Sequence, residues 1–255
     1  MKKFIFVVIG LCVGVSNVYA VEKWVKNPSY GAWDYQIDGT VVGTYLSVLQ
    51  VSQPTTYTCG ATTLSMLLIW ECQKKGYNNQ YYNRMQIHKI MNTSGGETSG
   101  LTTEELKKGI PIIVNYVRNV DRIRINVNMR ERKNYSIRSA INFLSNQMQR
   151  NDSPAILYGN VKYGSAGGHY YIVTGVFNCN NYNRGFCRTD YNGFYLNDSV
   201  YGSRAYSAYN PVKINAISTR KYISEDELAS YWKPTGSKFF WLRKHIFLYN
   251  KSSRT

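Results

Sequence analysis

Cys59 is the side chain whose position in the sequence best suits covalent chemistry. It follows the turn-rich residues 53–58 and stands where an apolar, helix-forming stretch begins, with Gly60 directly after it. The first turn of a helix leaves backbone N–H groups unpaired, and together with the helix dipole they stabilise an anion. A thiolate held there is a nucleophile, and a neighbouring imidazolium would stabilise it further. Cys59 is therefore the candidate nucleophile.

The chain has three histidines, His88, His169 and His245, and His169 is the best candidate for a general base. It lies in AGGHYYIVTGV, where a glycine-flanked loop runs into a β-branched, aromatic stretch typical of a strand. A strand start is accessible at one end and firmly held at the other, which is what a general base needs. The other two histidines are interpreted as packing or surface residues.

Two further side chains complete a possible acyl-transfer site. Gln53 precedes Cys59 by six residues, and its amide could donate to a developing oxyanion together with the backbone N–H of Cys59. Asp198 ends the strand that follows the His169 strand, so its carboxylate could orient the imidazole and stabilise its charged form. Asn197 is the alternative, because neighbouring side chains on a strand point to opposite faces.

The spacing of the cysteines also bears on disulfides and metal binding. A helix starting at Cys59 puts Cys72 about 20 Å along its axis, which excludes a bridge between them and leaves Cys72 as a core residue. Cys179 and Cys187 bracket a polar loop and are the best pair for a disulfide, if the geometry permits it. No C-x2-C or H-x3-H spacing occurs, so neither a metal nor another cofactor is predicted.

The elements that must position these residues are helices first and strands later. Apolar periodicity predicts helices over residues 60–76, 83–91 and 136–150. Two capping boxes, Thr102 with Glu105 and Ser224 with Glu227, predict a short helix ending near Gly109 and a helix over 225–232. Strand-like stretches cover residues 45–51, 111–117, 122–129, 154–163, 169–177, 193–198 and 238–249. This order predicts one α+β domain with an antiparallel sheet.

The N-terminus, MKKFIFVVIGLCVGVSNVYA, reads as a secretory signal peptide over residues 1–20. Two lysines precede a short apolar run. Small residues then occupy the positions that a signal peptidase reads, which predicts a cleavage site after Ala20. Residues 21–44 are interpreted as a lead-in segment and residues 45–255 as the domain. The expected location is secreted or periplasmic, with no later membrane span.

Composition narrows the class of protein. With 44% hydrophobic and 18% charged residues, the chain is neither a disordered tail nor a coiled coil. The net charge is +16, or +14 once Lys2 and Lys3 leave with the signal peptide, and it favours association with anionic envelope or host surfaces, or simply supports solubility there. No nucleic-acid-binding motif accompanies the scattered basic residues, so nucleic acid is not an expected partner. The oligomeric state stays open.

Taken in order, Gln53 and Cys59 at Q-x5-C-G spacing, His169 in GGHYYIVTG and Asp198 after a strand form a recognisable set. Over residues 45–200 this set resembles the bacteriocin-processing type of papain-like cysteine peptidase. The resemblance implies a papain-like fold with Cys59 as nucleophile, His169 as base, Asp198 as third member and Gln53 in the oxyanion hole. Ser199 stands where that family commonly has proline, and no transporter region accompanies the domain.

The resemblance thus implies a secreted, standalone cysteine hydrolase that cleaves peptide bonds through an acyl-enzyme, with a protein or peptide substrate. The same residues would also suit a deamidase or transglutaminase acting on host proteins, or a cell-wall amidase. A non-catalytic binding protein on this scaffold is the remaining alternative.

Overall fold

A computed structural model describes residues 22–27, 31–77, 83–93, 95–96, 99–120, 128–134, 136–151, 153–160, 168–178, 192–199, 221–224 and 237–243. The predicted signal peptide, the loop bounded by Cys179 and Cys187, the helix over 225–232 and His245 lie outside these residues.

Within the described residues the chain forms four helices and nine strands. The helices are α1 (Cys59–Lys74), α2 (Arg84–Met91), α3 (Thr103–Val120) and α4 (Ile137–Asn151). The strands are β1 (Glu22–Lys26), β2 (Ala32–Ile37), β3 (Thr40–Leu46), β4 (Asn128–Asn134), β5 (Ala155–Asn160), β6 (Gly168–Phe177), β7 (Gly193–Asn197), β8 (Lys221–Ser224) and β9 (Ser237–Arg243).

All nine strands belong to one antiparallel sheet in which β6 is the central strand. One edge of β6 pairs with β5 and β3, and the other pairs with β7 from Ile172 onwards. The first residues of β6, including His169, therefore extend past the end of β7. This offset leaves the start of β6 next to the residues that follow β7.

The helices pack against the sheet, and their apolar residues form two separate clusters with those of the strands. Nearly every side chain of α1 is buried, and α1 packs with α2, α3 and residues of β5 and β6 in the larger cluster. Helix α4 packs in the second cluster with other residues of β5 and β6 and with β7. Alternating residues of β6 enter the two clusters, as strand geometry requires: Tyr170 and Ile172 the first, Tyr171 and Val173 the second. The predicted α+β class with a helix packed on an antiparallel sheet is confirmed.

Residues 22–46, which have no clear hydrophobic period, form three strands of the same sheet. Strand β3 joins this hairpin region to β6 through the pair Thr44 and Val176. A register shift between Tyr35 and Gln36 interrupts the alternation of side chains in β2. The strand predicted over 45–51 is wrong beyond Leu46, because residues 47–51 have no regular structure. The lead-in segment is thus structurally part of the sheet, while the domain limits stay predictions.

Helix α3 is longer than the sequence pattern indicates. The predicted stop at Gly109 and the strand over 111–117 are both wrong, because one helix runs from Thr103 through Pro111 to Val120. Its buried residues, Leu106, Ile110, Ile113, Val114 and Val117, follow helical spacing and pack in the larger cluster. The capping box is confirmed. The Glu105 carboxylate accepts one hydrogen bond from the Thr102 backbone N–H at 2.8 Å and another from the Thr102 hydroxyl at 2.9 Å.

The strand predicted over 122–129 overlaps β4 only at Asn128 and Met129, and its earlier residues lie outside the described part of the chain. The helices predicted over 60–76, 83–91 and 136–150 and the strands over 169–177 and 193–198 are confirmed to within one or two residues. None of the described helices combines the length and apolar character needed to cross a membrane.

Candidate active site

Helix α1 begins at Cys59, and its N-terminus lacks the usual side-chain cap. The N-cap residue is Thr58, whose side chain makes no capping hydrogen bond, and the first turn has no acidic residue. The Thr58 hydroxyl instead contacts Thr55, donating to its carbonyl oxygen at 3.2 Å and accepting from its N–H at 3.3 Å. The first-turn N–H groups and the positive end of the helix dipole therefore remain to stabilise a charge at Cys59.

His169 is the second residue of β6, and the end of β7 brings a carboxylate to it. Its Nε2 lies 2.8 Å from Oδ1 of Asp198, the first residue after β7. The register pairs Ile172 with Asn197, which places Asp198 on the same face as Tyr171 and His169. The Tyr171 ring packs edge-on against the imidazole at a centroid distance of 4.6 Å, so the ring is held from the side as well.

The structure brings Cys59, His169 and Asp198 together around one imidazole. The Cys59 side chain is near enough to the ring to affect its charge, and Cys59 and His169 are each only 6% exposed. Burial by itself lowers the pKa of His169, but the hydrogen bond to Asp198 and the interaction with Cys59 raise it to about 9. These interactions favour the charged form of the imidazole.

Asp198, rather than the alternative Asn197, contacts the histidine. Asn197 is fully buried on the other side of β7, and its amide donates to the carbonyl oxygen of Val48 at 3.3 Å. The carbonyl of Asp198 accepts a hydrogen bond of 2.6 Å from Gln50. Both contacts tie the end of β7 to the loop that precedes Cys59, and they fix the direction from which Asp198 approaches the ring.

Gln53 lies in the same loop and is buried. Its Nε2 donates to the carbonyl oxygen of Thr55 at 2.8 Å, and its Oε1 accepts from the hydroxyl of Ser199 at 2.6 Å. The carboxamide is thus held at both ends, with one of its two N–H groups used in the loop. The other can serve as a donor, as an oxyanion site requires. The preceding loop residue, Ser52, accepts a hydrogen bond from Arg84 of α2.

Gly60 permits the close packing of α1 on β6 beside the nucleophile. A Cβ at this position would lie 3.1 Å from the Tyr170 ring and 3.2 Å from Leu101. Tyr170 directly follows His169, so the contact joins the start of α1 to the start of β6. Burial raises the pKa of the Tyr170 hydroxyl, which keeps this neighbour of Cys59 uncharged.

The remaining cysteines and histidines behave as packing residues where the structure describes them. Cys59 and Cys72 are not bridged to each other, and Cys72 is fully buried in the larger cluster. His88 is buried in α2 against the ring of Tyr57, and burial lowers its pKa. Among the described residues no group of three or more histidine, cysteine, aspartate or glutamate side chains is arranged to hold a metal ion.

Sequence reasoning missed the contacts that connect the loop to β7. Gln50, Asn197 and Ser199 are polar residues buried at this junction, and their hydrogen bonds join parts of the chain almost 150 residues apart. The only signal in the sequence is the cluster of amide and hydroxyl residues on each side. Nothing in residue type or spacing indicates which of them meet.

Several solved structures match the chain, among them that of UfSP. The crystal structure of UfSP from C. elegans superposes with a TM-score of 0.47 and 13% sequence identity, over 81% of this chain and 34% of that one. The chain therefore spans about a third of the length of that protein. No family model matches the chain, and no curated protein matches it.

Proposed function

We propose that this protein is a cysteine hydrolase that cleaves amide bonds of a protein or peptide through an acyl-enzyme. The observation that carries the proposal is the His169 ring, which is hydrogen-bonded to the Asp198 carboxylate and whose pKa is raised by Cys59 at an uncapped helix N-terminus. A purely structural histidine needs no such arrangement, because burying a charged ring and its partners is costly. The proposal includes kinship with the papain-like peptidases of the bacteriocin-processing type.

Catalysis begins with an ion pair in which Nε2 of His169 is bonded to Asp198, leaving Nδ1 for the sulfur. The Cys59 thiolate attacks the carbonyl carbon of an amide, forming a C–S bond while the carbonyl electrons move to oxygen. The Gln53 amide and the backbone N–H of Cys59 stabilise that oxyanion.

His169 then gives its proton to the amide nitrogen, the C–N bond breaks and the amine leaves, so that a thioester remains on Cys59. A water molecule, deprotonated by His169, attacks the thioester carbon. The C–S bond breaks, the acid product leaves and the thiolate–imidazolium pair is restored.

Mass analysis of protein substrates after incubation with the enzyme tests the proposal. Cleavage gives two fragments that together contain one added water. A deamidase instead leaves the chain whole and replaces a side-chain amide with an acid, and a transglutaminase joins an amine to it. We expect cleavage, and we expect it to disappear in Cys59→Ala and in His169→Ala.

Cys72→Ala is the matched control, because it removes a thiol from the same helix without touching the site. Circular dichroism establishes that each variant folds. Activity close to wild type in folded Cys59→Ala or His169→Ala would overturn the proposal and favour a binding protein without catalysis.

A cell-wall amidase is the second candidate, favoured by an aromatic pocket and by charge. Five residues line this pocket of about 290 Å³: Trp24, Trp33, Tyr45, Ser47 and Tyr195. Both tryptophans are more than a third exposed, and pockets of this kind suit flat, weakly polar groups such as sugar rings. Removal of the predicted signal peptide, with Lys2 and Lys3, lowers the charge from +16 to +14, which still favours an anionic polymer. A fall in the turbidity of purified peptidoglycan that needs Cys59 would select this substrate, and it would require the secreted or periplasmic location.

A further inference from the structure

Ser199 contacts Gln53 twice, once through the backbone and once through the side chains. The backbone N–H of Gln53 donates to the backbone carbonyl oxygen of Ser199 at 3.0 Å. The Ser199 hydroxyl donates to the side-chain Oε1 of Gln53 at 2.6 Å. Ser199 is fully buried, and Gln53 is only 4% exposed. Water therefore cannot readily replace the hydroxyl as the partner of Oε1.

Both ends of the Gln53 carboxamide have hydrogen-bond partners. Nε2 faces the Thr55 carbonyl, which can only accept, while Oε1 faces the Ser199 hydroxyl, which donates. A rotation of the amide by half a turn would set Oε1 against the Thr55 carbonyl oxygen, so that orientation is disfavoured. The hydrogen-bond pattern thus fixes which end of the amide is the donor.

We propose that Ser199 is a positioning residue for the reaction: its hydroxyl holds the Gln53 carboxamide in the orientation that donates to the oxyanion. This inference rests on the proposed function. An amide oxygen turned towards a developing oxyanion would repel it, whereas an N–H stabilises it. Without the hydroxyl, Oε1 is left buried without its donor, and the carboxamide is held at only one of its two ends.

Ser199 also links the two halves of the site. It directly follows Asp198, whose own carbonyl accepts from Gln50 three residues before Gln53. One short segment after β7 therefore presents the carboxylate to His169 and the hydroxyl to Gln53. The oxyanion donor and the base are held in one relative position by the same backbone.

Two reactions of the same sulfur separate this role from a merely structural one. With p-nitrophenyl acetate, Cys59 attacks the ester carbon through an oxyanion, the C–O bond breaks, and p-nitrophenolate leaves with its visible absorbance. With iodoacetamide, the sulfur displaces iodide from a methylene carbon, and no oxyanion forms. Acylation depends on the Gln53 amide, and alkylation depends only on the thiolate.

Ser199→Ala is expected to slow acylation at least about tenfold, as a fraction of the 10²–10³-fold effect typical of a lost oxyanion donor. Its alkylation rate should stay within about twofold of wild type, because the thiolate is unchanged. Gln53→Glu, which keeps an acceptor for Ser199 but has no N–H, should lose acylation in the same selective way. In a Gln53→Ala background, Ser199→Ala should have little further effect, because the group it positions is already absent.

Ser145→Ala is the control, since Ser145 is a buried serine of α4 that makes none of these contacts. Unchanged acylation in Ser199→Ala, equal losses of acylation and alkylation, or full additivity with Gln53→Ala would each overturn the positioning role. Failure of the proposed function would look different: wild type and Cys59→Ala would then release p-nitrophenolate at the same rate.

Discussion

Replacing Asp198 with asparagine isolates the charge that acts on His169 while keeping the shape of the side chain. The carboxylate lies 2.8 Å from Nε2, and the two side chains are only 16% and 7% exposed, so solvent screens this pair weakly. A hydrogen bond between charged groups contributes about 1.5–3 kcal/mol. Since about 1.4 kcal/mol corresponds to one pH unit, the pKa of His169 should fall from about 9 by roughly 1 to 2 in Asp198→Asn.

The pH dependence of acylation by p-nitrophenyl acetate measures this change. The rate should decline on the alkaline side as the imidazolium loses its proton, with a midpoint near 9 in wild type and near 7.5 in the variant. At about pH 8.5 the variant should react roughly tenfold more slowly, and near pH 6, where both rings are charged, the rates should be much closer. Identical alkaline midpoints would refute the view that Asp198 stabilises the charged ring.

The same pair predicts a pH-dependent stability. The folded pKa of His169 lies above its ordinary value of 6.5, so this contribution is fully present below pH 6.5 and is lost as the pH rises through about 9. The difference in unfolding free energy between wild type and Asp198→Asn should therefore be largest near pH 6 and shrink towards pH 10. Urea unfolding of both proteins at the two pH values measures it, and a difference that grows with pH would contradict the assignment.

Three further predictions concern the frame around the site. Gly60→Ala should lower the unfolding free energy by about 1–2 kcal/mol despite the better helix propensity of alanine, because the new Cβ would lie 3.1 Å from the Tyr170 ring. Gly100→Ala is the control, because the nearest atom to its new Cβ would be 3.8 Å away. Equal denaturant midpoints for the two variants would argue against tight packing around Gly60. Removal of residues 21–46 should abolish folding, since it exposes the edge of β6 and removes Ala32 and Leu46 from the core; a cooperative thermal transition in the truncated chain would instead make this segment dispensable. Glu105→Gln should cost about 1–2 kcal/mol by weakening the capping box and the contact with the Thr93 N–H, and chemical denaturation indistinguishable from wild type would count against that cap.

The sequence predicted the elements whose signals are local and strong. Helix α1 has an apolar stretch with a clear start and a stop at Gly76, which has a positive φ of 86°. Strand β6 is a continuous β-branched and aromatic run. The relative placement of Cys59, His169 and Asp198 follows from where those elements begin and end, so it could be anticipated without coordinates.

Other features depend on tertiary context and could not be predicted. Residues 111–117 look like a strand because Gly109 and Pro111 are typical helix breakers, yet the helical spacing of the buried residues in α3 prevails. Strands β1 to β3 lack a clear period because β2 carries a bulge and both tryptophans of the hairpin are partly exposed. The pairing of Ser199 with Gln53 depends on how a loop and a strand end meet, which residue types alone do not determine.

The most direct test of the account is an NMR titration of the His169 ring in the whole protein. The signal is assigned by its loss in His169→Gln, and the titration is repeated in Cys59→Ala. We predict a midpoint near pH 9 in wild type and a lower midpoint in Cys59→Ala, because the sulfur then no longer supports the charged ring. A midpoint at or below 6.5, or one that does not move when the sulfur is removed, would contradict the thiolate–imidazolium pair on which the proposed chemistry depends.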